Sequence, residues 1–256
     1  MEIALFSSAW LAFSLTPVLA PLALRGGLAA CLRFSPRAAL ALSSVAALWG
    51  CLGTLTARGG LRTVPPGQRF PTAIAGITGG TAGRMLLLMF AARFPGSLAL
   101  ARMQAIPLLA LALAALLPAG LRRIPLPRTR TGLNLFSLLC ACIGGQFGCG
   151  ALAVFHLTAR GGVCRRRDAP ACAALLLAIT AHASALLLTL LSGGAQVFPP
   201  RMLLSLSSGA FLGGWRFEKH KKRGEVLRGL RAALGVYTLL AALSGVEQAF
   251  SSWAPA

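Results

Sequence analysis

Acidic side chains are nearly missing from this chain. Five Asp and Glu stand against 25 Lys and Arg, a net charge of +20 over 256 residues. Charged residues of both signs make up only 12% of the sequence, about half the usual fraction of a soluble domain. With so few acids there is no paired carboxylate for acid–base catalysis and no acidic relay for cations. No metal-ligating cluster and no nucleophile–base set appears either, so the chain is read as a non-enzyme that needs no cofactor. The seven cysteines include no CxxC pair, which removes the zinc reading. Cys140, Cys142 and Cys149, with Cys31, Cys51 and Cys172, lie in or beside apolar runs, where cysteine behaves as a small hydrophobe.

Apolar residues are what the chain has instead, at 56% of the total with a mean hydropathy of +0.74. That excludes a disordered basic tail. A nucleic-acid partner is also disfavoured, because the basic residues form short clusters between long apolar runs, the pattern of a polytopic membrane protein in a lipid bilayer. Eight stretches approach the ~20 residues that cross a bilayer. They are Ile3–Leu24, Pro36–Ala57, Pro71–Ala92, Met103–Leu117, Leu133–Leu157, Pro170–Leu191, Pro200–Trp215 and Val226–Val246. Continuous runs without two-residue alternation favour helices over barrel strands. The fold class expected is all-α, with about eight transmembrane helices. The first stretch reads as a retained span: Glu2 replaces a basic leader, and Pro21 follows the one small-residue cleavage position, Ala20. The loops are too short to hold a soluble catalytic domain.

Basic residues set the expected orientation. Loops 1–2, 3–4, 5–6 and 7–8 carry sixteen Lys and Arg, and the opposite loops carry eight. The excess puts the first set in the cytoplasm and both termini outside. The cluster Arg122, Arg123, Arg128, Arg130 argues the other way. The dense run Arg216 to Arg223 is explained by the same charge rule, with a lipid-headgroup site as the alternative.

The two halves resemble each other. Ser35-Pro36-Arg37-Ala38 opens a small-residue helix that leads to Gly59-Gly60 and then to the Gly-rich stretch Gly76–Gly83. Asp168-Ala169-Pro170-Ala171 opens a similar helix that leads to Gly193-Gly194, Pro199-Pro200 and Ser207–Gly214. Pro36 maps to Pro170 at an offset of 134, and Gly79 and Gly83 map to Gly209 and Gly213 at 130. The expected organisation is a first membrane repeat over 1–121, a basic linker over 122–131 and a second repeat over 132–256. With four spans each, these are two parallel four-helix repeats about an axis along the membrane normal. A site at the interface of such repeats is a feature of secondary transporters.

Among polar residues inside the spans, Arg84 stands out. It follows Gly83 and precedes Met85-Leu86-Leu87-Leu88, and a mid-span Arg costs about 2.5–3.5 kcal/mol on insertion scales. No acid lies in a span interior to pair with it. Either it snorkels to an interface or bonds backbone carbonyls, or it contacts an oxyanion bidentately. His182, beside Thr180 and Ser184, is either a proton relay or a hydrogen-bonded packing residue. The pairs Gly79/Gly83 and Gly209/Gly213, and Gly148 and Gly150 in the fifth stretch, either let helices approach closely or line a broken-helix anion site. Ser43, Ser44, Thr78, Ser207 and Ser208 complete the candidate substrate-binding set.

Ser35-Pro36-Arg37-Ala38 with Ser43-Ser44, the Gly-spaced third span, and Gly145-Gln146-Phe147-Gly148-Cys149-Gly150 opening the second repeat together resemble the sulfite exporter TauE/SafE family. Pro170–Ser184 and Ser208–Gly214 fall where that family's next two spans carry small and polar residues, so the resemblance covers roughly residues 35–246. It implies a two-repeat carrier of small anions, often sulfur-containing ones such as sulfite, a sulfonate or thiosulfate, in the bacterial inner membrane. The drive expected of an anion carrier is the membrane potential or the proton gradient, the latter with a coupling proton as a further partner. The first span departs from the pattern, with Thr16-Pro17 and Pro21 in place of a Gly-rich motif. Two other functions stay open. One is a membrane thiol–disulfide or electron carrier using Cys140, Cys142 and Cys149, and the other is a non-transporting membrane subunit.

Overall fold

The computed structural model describes residues 1–15, 20–30, 34, 36–64, 66–93, 130–147, 169–192 and 198–219. Among these the chain is all-helical and without strands, as the composition predicts. The helices are α1 (Glu2–Leu15), α2 (Ala20–Ala30), α3 (Pro36–Ala57), α4 (Pro66–Arg93), α5 (Arg130–Phe147), α6 (Ala169–Leu191) and α7 (Pro200–Lys219), with a 3-10 turn at Gly60–Thr63 between α3 and α4. Three of the described helices are long and apolar enough to cross a membrane: α3 over Ala38–Ala57, α4, and α6 over Cys172–Leu191. The fourth and eighth expected spans and residues 148–157 of the fifth lie outside the described residues.

Prolines and glycines place the boundaries. Pro36, Pro66 and Pro200 each open a helix, where the missing amide donor costs nothing. The chain reverses after α3 through Gly59 and Gly60, whose φ of 98° and 71° only glycine adopts readily. Two expected boundaries are corrected. The third stretch begins five residues earlier than Pro71, which α4 carries inside its first turns. The first stretch is not one helix: α1 ends at Leu15, just before Thr16-Pro17, and a second helix begins at Ala20. A proline disfavours the helical conformation of the residue before it, which stops α1. At 14 residues, α1 is about 21 Å long, short of a ~30 Å hydrocarbon core.

Small residues then determine which helices meet. Added Cβ atoms at Gly79 and Gly83 of α4 would strike the carbonyls of Leu138 and Cys142 on α5, and one at Gly80 would strike Ala181 on α6. On α7, Gly209 and Gly213 lie against the carbonyls of Phe6 and Trp10 on α1, while Gly214 lies against Gly50 of α3. Close backbone approach of this kind maximises dispersion contact and suits helices surrounded by lipid. The main contacts run in the order α1–α7–α3–α6–α4–α5, with α2 against α1 and α3. Thus α7 sits between two helices of the first half, and α4 sits between two helices of the second.

The same contacts give the directions. Phe6 to Gly209 and Trp10 to Gly213 make α1 and α7 parallel, and Gly50 to Gly214 with Arg58 to Glu218 does the same for α3 and α7. Leu138 to Gly79 and Cys142 to Gly83 align α5 with α4, as Leu177 to Gly76 and Ala181 to Gly80 align α6 with α4. Between these groups the sense reverses. Cys51 and Leu55 from the end of α3 share an apolar cluster with Val64 of the turn and with Cys172, Leu175 and Leu176 from the start of α6. An axis along the membrane normal would run α3 and α6, the helices opened by Pro36 and Pro170, in the same direction. They run in opposite directions: α5 and α6, expected as consecutive and therefore antiparallel spans, both run with α4, just as α1 and α3, expected likewise, both run with α7.

The outer surface is apolar. Ile74, Ile77, Met85, Leu86 and Met89 of α4, Leu187 and Leu190 of α6, and Leu204 and Leu212 of α7 are all exposed. Contiguous exposed apolar side chains on this scale are costly in water and match a hydrocarbon surround.

Candidate functional site

Arg84 lies one turn beyond Gly80 on α4, where the helix is pressed between α5 and α6 by its glycines. Its side chain is only 3% exposed. It extends towards α3, and Nη2 donates to Ser44 Oγ at 3.4 Å. Ser44 can accept because its own hydroxyl proton is committed elsewhere, to Leu40 O at 2.8 Å. Ser43 donates to the same carbonyl at 3.0 Å. Arg84 Nε has no hydrogen-bond partner among the described residues.

His182 of α6 is fully buried, and neither Nδ1 nor Nε2 has a partner among the described residues. The charge of Arg84 acts on it. A second guanidinium, Arg25 of α2, acts electrostatically on Arg84. Among the described residues no acid balances this group: Glu2 is exposed at the start of α1, and Glu218 is paired with Arg58 at 2.8 Å. Burying a guanidinium with an unused donor costs several kcal/mol relative to a paired one. An unused guanidinium donor and an excess of positive charge are what an oxyanion would satisfy.

The candidate residues from the sequence fall into three groups. Arg84, Ser44 and His182 come together in the interior, with Ser43 beside Ser44. Thr78 and Ser208 are exposed, and their hydroxyls donate back along their own helices to Ile74 and Leu204; Ser207 is half-buried. Gly79, Gly83 and Gly209 are occupied in packing α4 on α5 and α7 on α1. Gly148 and Gly150 lie outside the described residues. Sequence reasoning missed Arg25, which it assigned to a loop; the break at Thr16-Pro17 was the signal that a helix intervenes. It also missed Thr54, which donates to Gly50 O and Gly214 O and ties α3 to α7.

A pocket of about 310 Å³ opens where α1 and α7 begin, lined by Met1, Glu2, Ile3, Pro199 and Met202, and none of the interior polar residues lines it. No group of three metal-ligating side chains occurs among the described residues. The described cysteines are free, and Cys140 and Cys142, two apart on α5, project from different faces of that helix. Compared with known proteins, the chain matches no protein family, no curated protein and no solved structure.

Proposed function

We propose that this protein is a secondary carrier of small oxyanions, sulfur-containing ones such as sulfite or thiosulfate, in a bacterial inner membrane, in line with its resemblance to the TauE/SafE exporters. Buried Arg84 carries the reading. An arginine held away from water, without a carboxylate and with Nε unpartnered, is what a bidentate anion contact requires.

Two further observations support a carrier built from repeats. The contact order α1–α7–α3–α6–α4–α5 maps onto itself when α1 exchanges with α5, α7 with α4 and α3 with α6. The register agrees: Gly79 to Leu138 and Gly83 to Cys142 correspond to Gly209 to Phe6 and Gly213 to Trp10. The exchanged helices run in opposite senses, so the repeats we propose are related by an axis in the membrane plane, the inverted arrangement common among transporters. Arg84, Ser44 and His182 come from three of the four inner helices α7, α3, α6 and α4.

Helix direction also sorts the basic residues anew. Arg58, Arg62, Arg69, Arg216 and Lys219 stand at helix ends on one face, against Arg93 and Arg201 on the other. The sequence before α5 holds Arg122, Arg123, Arg128 and Arg130, that before α6 holds Arg165, Arg166 and Arg167, and that after α7 holds Lys221, Lys222 and Arg223. All three helix ends belong to the Arg58 face. The Arg122–Arg130 cluster therefore joins the majority, and the Arg58 face is cytoplasmic. Arg216 over Trp10 at 4.7 Å and Lys219 over Trp215 at 4.3 Å suit an interface there. The N-terminus, at the start of α1, is then outside.

Uptake of labelled sulfite into proteoliposomes tests the function. Saturable flux is expected in the wild type and absent in Arg84→Ala. Equal flux in both would place the site elsewhere, and no flux of sulfite or thiosulfate in either would overturn the carrier reading.

A further inference from the structure

The described interior leaves a second group without a partner, and it is titratable. Buried imidazoles normally use at least one ring nitrogen in a hydrogen bond. In His182 both are unused, on a side chain with no exposed surface. The ring lies within reach of the charge of Arg84. The next residue back, Ala181, packs on Gly80, and Arg84 is one turn further along the same helix. Building on the anion-carrier reading above, we propose that His182 is the proton-binding residue of the Arg84 site, so that each transported oxyanion crosses together with a proton held on the imidazole.

The charges around His182 leave room for this. The elements packed on α6 are α3, α4, α5 and the turn after α3. Their described titratable and charged groups are Cys51 on α3 and Arg58 just after it, Arg62 in the turn, Arg69, Arg84 and Arg93 on α4, and Cys140 and Cys142 on α5. Cys172 shares α6 itself, and Arg25 reaches the site from α2. None of these is an acid. A proton on His182 would place a second positive charge beside Arg84 in a poorly screened interior, which is unfavourable unless an anion sits between them. An anion on Arg84 alone, with the imidazole uncharged, leaves one of the two donor sets around it unused. Each ligand therefore favours the other, and the coupling is reciprocal. The step is a simple transfer: a proton from water adds to a ring nitrogen on one side of the membrane, the imidazolium donates to the anion during transit, and the proton returns to water on the other side. No other bond is made or broken.

The test uses the full-length protein in proteoliposomes that contain a pH-sensitive dye, with labelled thiosulfate and labelled sulfite as probes and protein-free vesicles as the control. Thiosulfate is fully ionised at neutral pH, so a proton that enters with it has been carried by the protein. In the wild type, anion entry should acidify the lumen in step, and an inward proton gradient should drive accumulation. His182→Gln keeps a neutral polar side chain that binds no proton at neutral pH; whatever anion flux it keeps should proceed without acidification and without response to the proton gradient. Arg84→Ala should lose anion flux altogether. Acidification per anion in His182→Gln equal to wild type would overturn the proposal. So would wild-type anion flux without acidification, whatever any variant does. Absence of flux for both probes in the wild type would overturn the carrier reading and this proposal with it, whereas uncoupled wild-type flux would leave the carrier intact.

Discussion

At the residue scale, the interior is organised by which hydroxyls have already spent their proton. Ser44 donates to Leu40 O, and that commitment turns its oxygen into an acceptor for Arg84 Nη2. Removing the hydroxyl leaves the guanidinium with one fewer fixed partner while its position on α4 is unchanged. Ser44→Ala should therefore weaken anion binding by about 0.5–1.5 kcal/mol, roughly 2- to 12-fold in half-saturating concentration. Initial sulfite fluxes over a concentration series would show the change; an unaltered half-saturating concentration would mean that Ser44 does not orient Arg84. Arg84 could be picked out from sequence because a charge inside an apolar run with no acid nearby has few explanations. Thr78 and Ser208 lie apart from Arg84 for a reason the sequence does not carry. Each lies among small residues, so composition does not say which face of the helix turns inward, and both proved to be exposed and bonded to their own helix. Arg25 was hidden by a helix boundary rather than by its chemistry.

At the element scale, α4 owes its place to glycines on two sides. Gly79 and Gly83 admit α5, and Gly76 and Gly80 admit α6. This makes the small-residue pattern a statement about packing, and the sequence showed the pattern without showing which neighbour each glycine serves. The positions are not equivalent. A Cβ at Gly83 would meet the Cys142 carbonyl, a backbone atom that cannot move aside, whereas a Cβ at Gly67 would meet nothing within 4 Å. Gly83→Ala should force α4 from α5 and lower the thermal unfolding midpoint in detergent by several degrees, since 1–3 kcal/mol of overpacking is typical. Gly67→Ala should leave it unchanged or slightly raised, because alanine restricts the unfolded chain more. Equal midpoints for the two variants would show that the α4–α5 contact is loose. Helix ends were read well wherever a proline opens them, as at Pro36 and Pro200, and less well at Pro71, which sits inside α4.

At the scale of the whole molecule, three of the expected spans and the glycine pairs were legible in the sequence while the sense of each helix was not. Hydropathy reports how long an apolar stretch is but not its sense: α1 and α3, expected as consecutive spans, both run with α7, and α5 and α6, expected likewise, both run with α4. Two arrangements follow from the same sequence and differ in one measurable respect. Parallel repeats of four spans put Arg62 and Arg201 on the same side of the membrane. In the fold described above, Arg62 lies where α3 ends and α4 begins, and Arg201 lies where α7 begins, at the opposite end of the parallel pair α3 and α7. Arg62→Cys and Arg201→Cys should accordingly react with a membrane-impermeant maleimide from opposite sides: Arg62→Cys only in inside-out vesicles, and Arg201→Cys in intact spheroplasts. The parent protein gives the background, to which buried Cys51, Cys140 and Cys172 add little. Both residues are well suited as probes, since each is exposed. Labelling of both from the periplasm would restore the parallel arrangement, remove the in-plane axis, and leave the convergence of Arg84, Ser44 and His182 without a symmetry to explain it. Labelling of Arg62→Cys from inside only and of Arg201→Cys from outside only would put the Arg58 face in the cytoplasm and support an in-plane axis between the proposed halves.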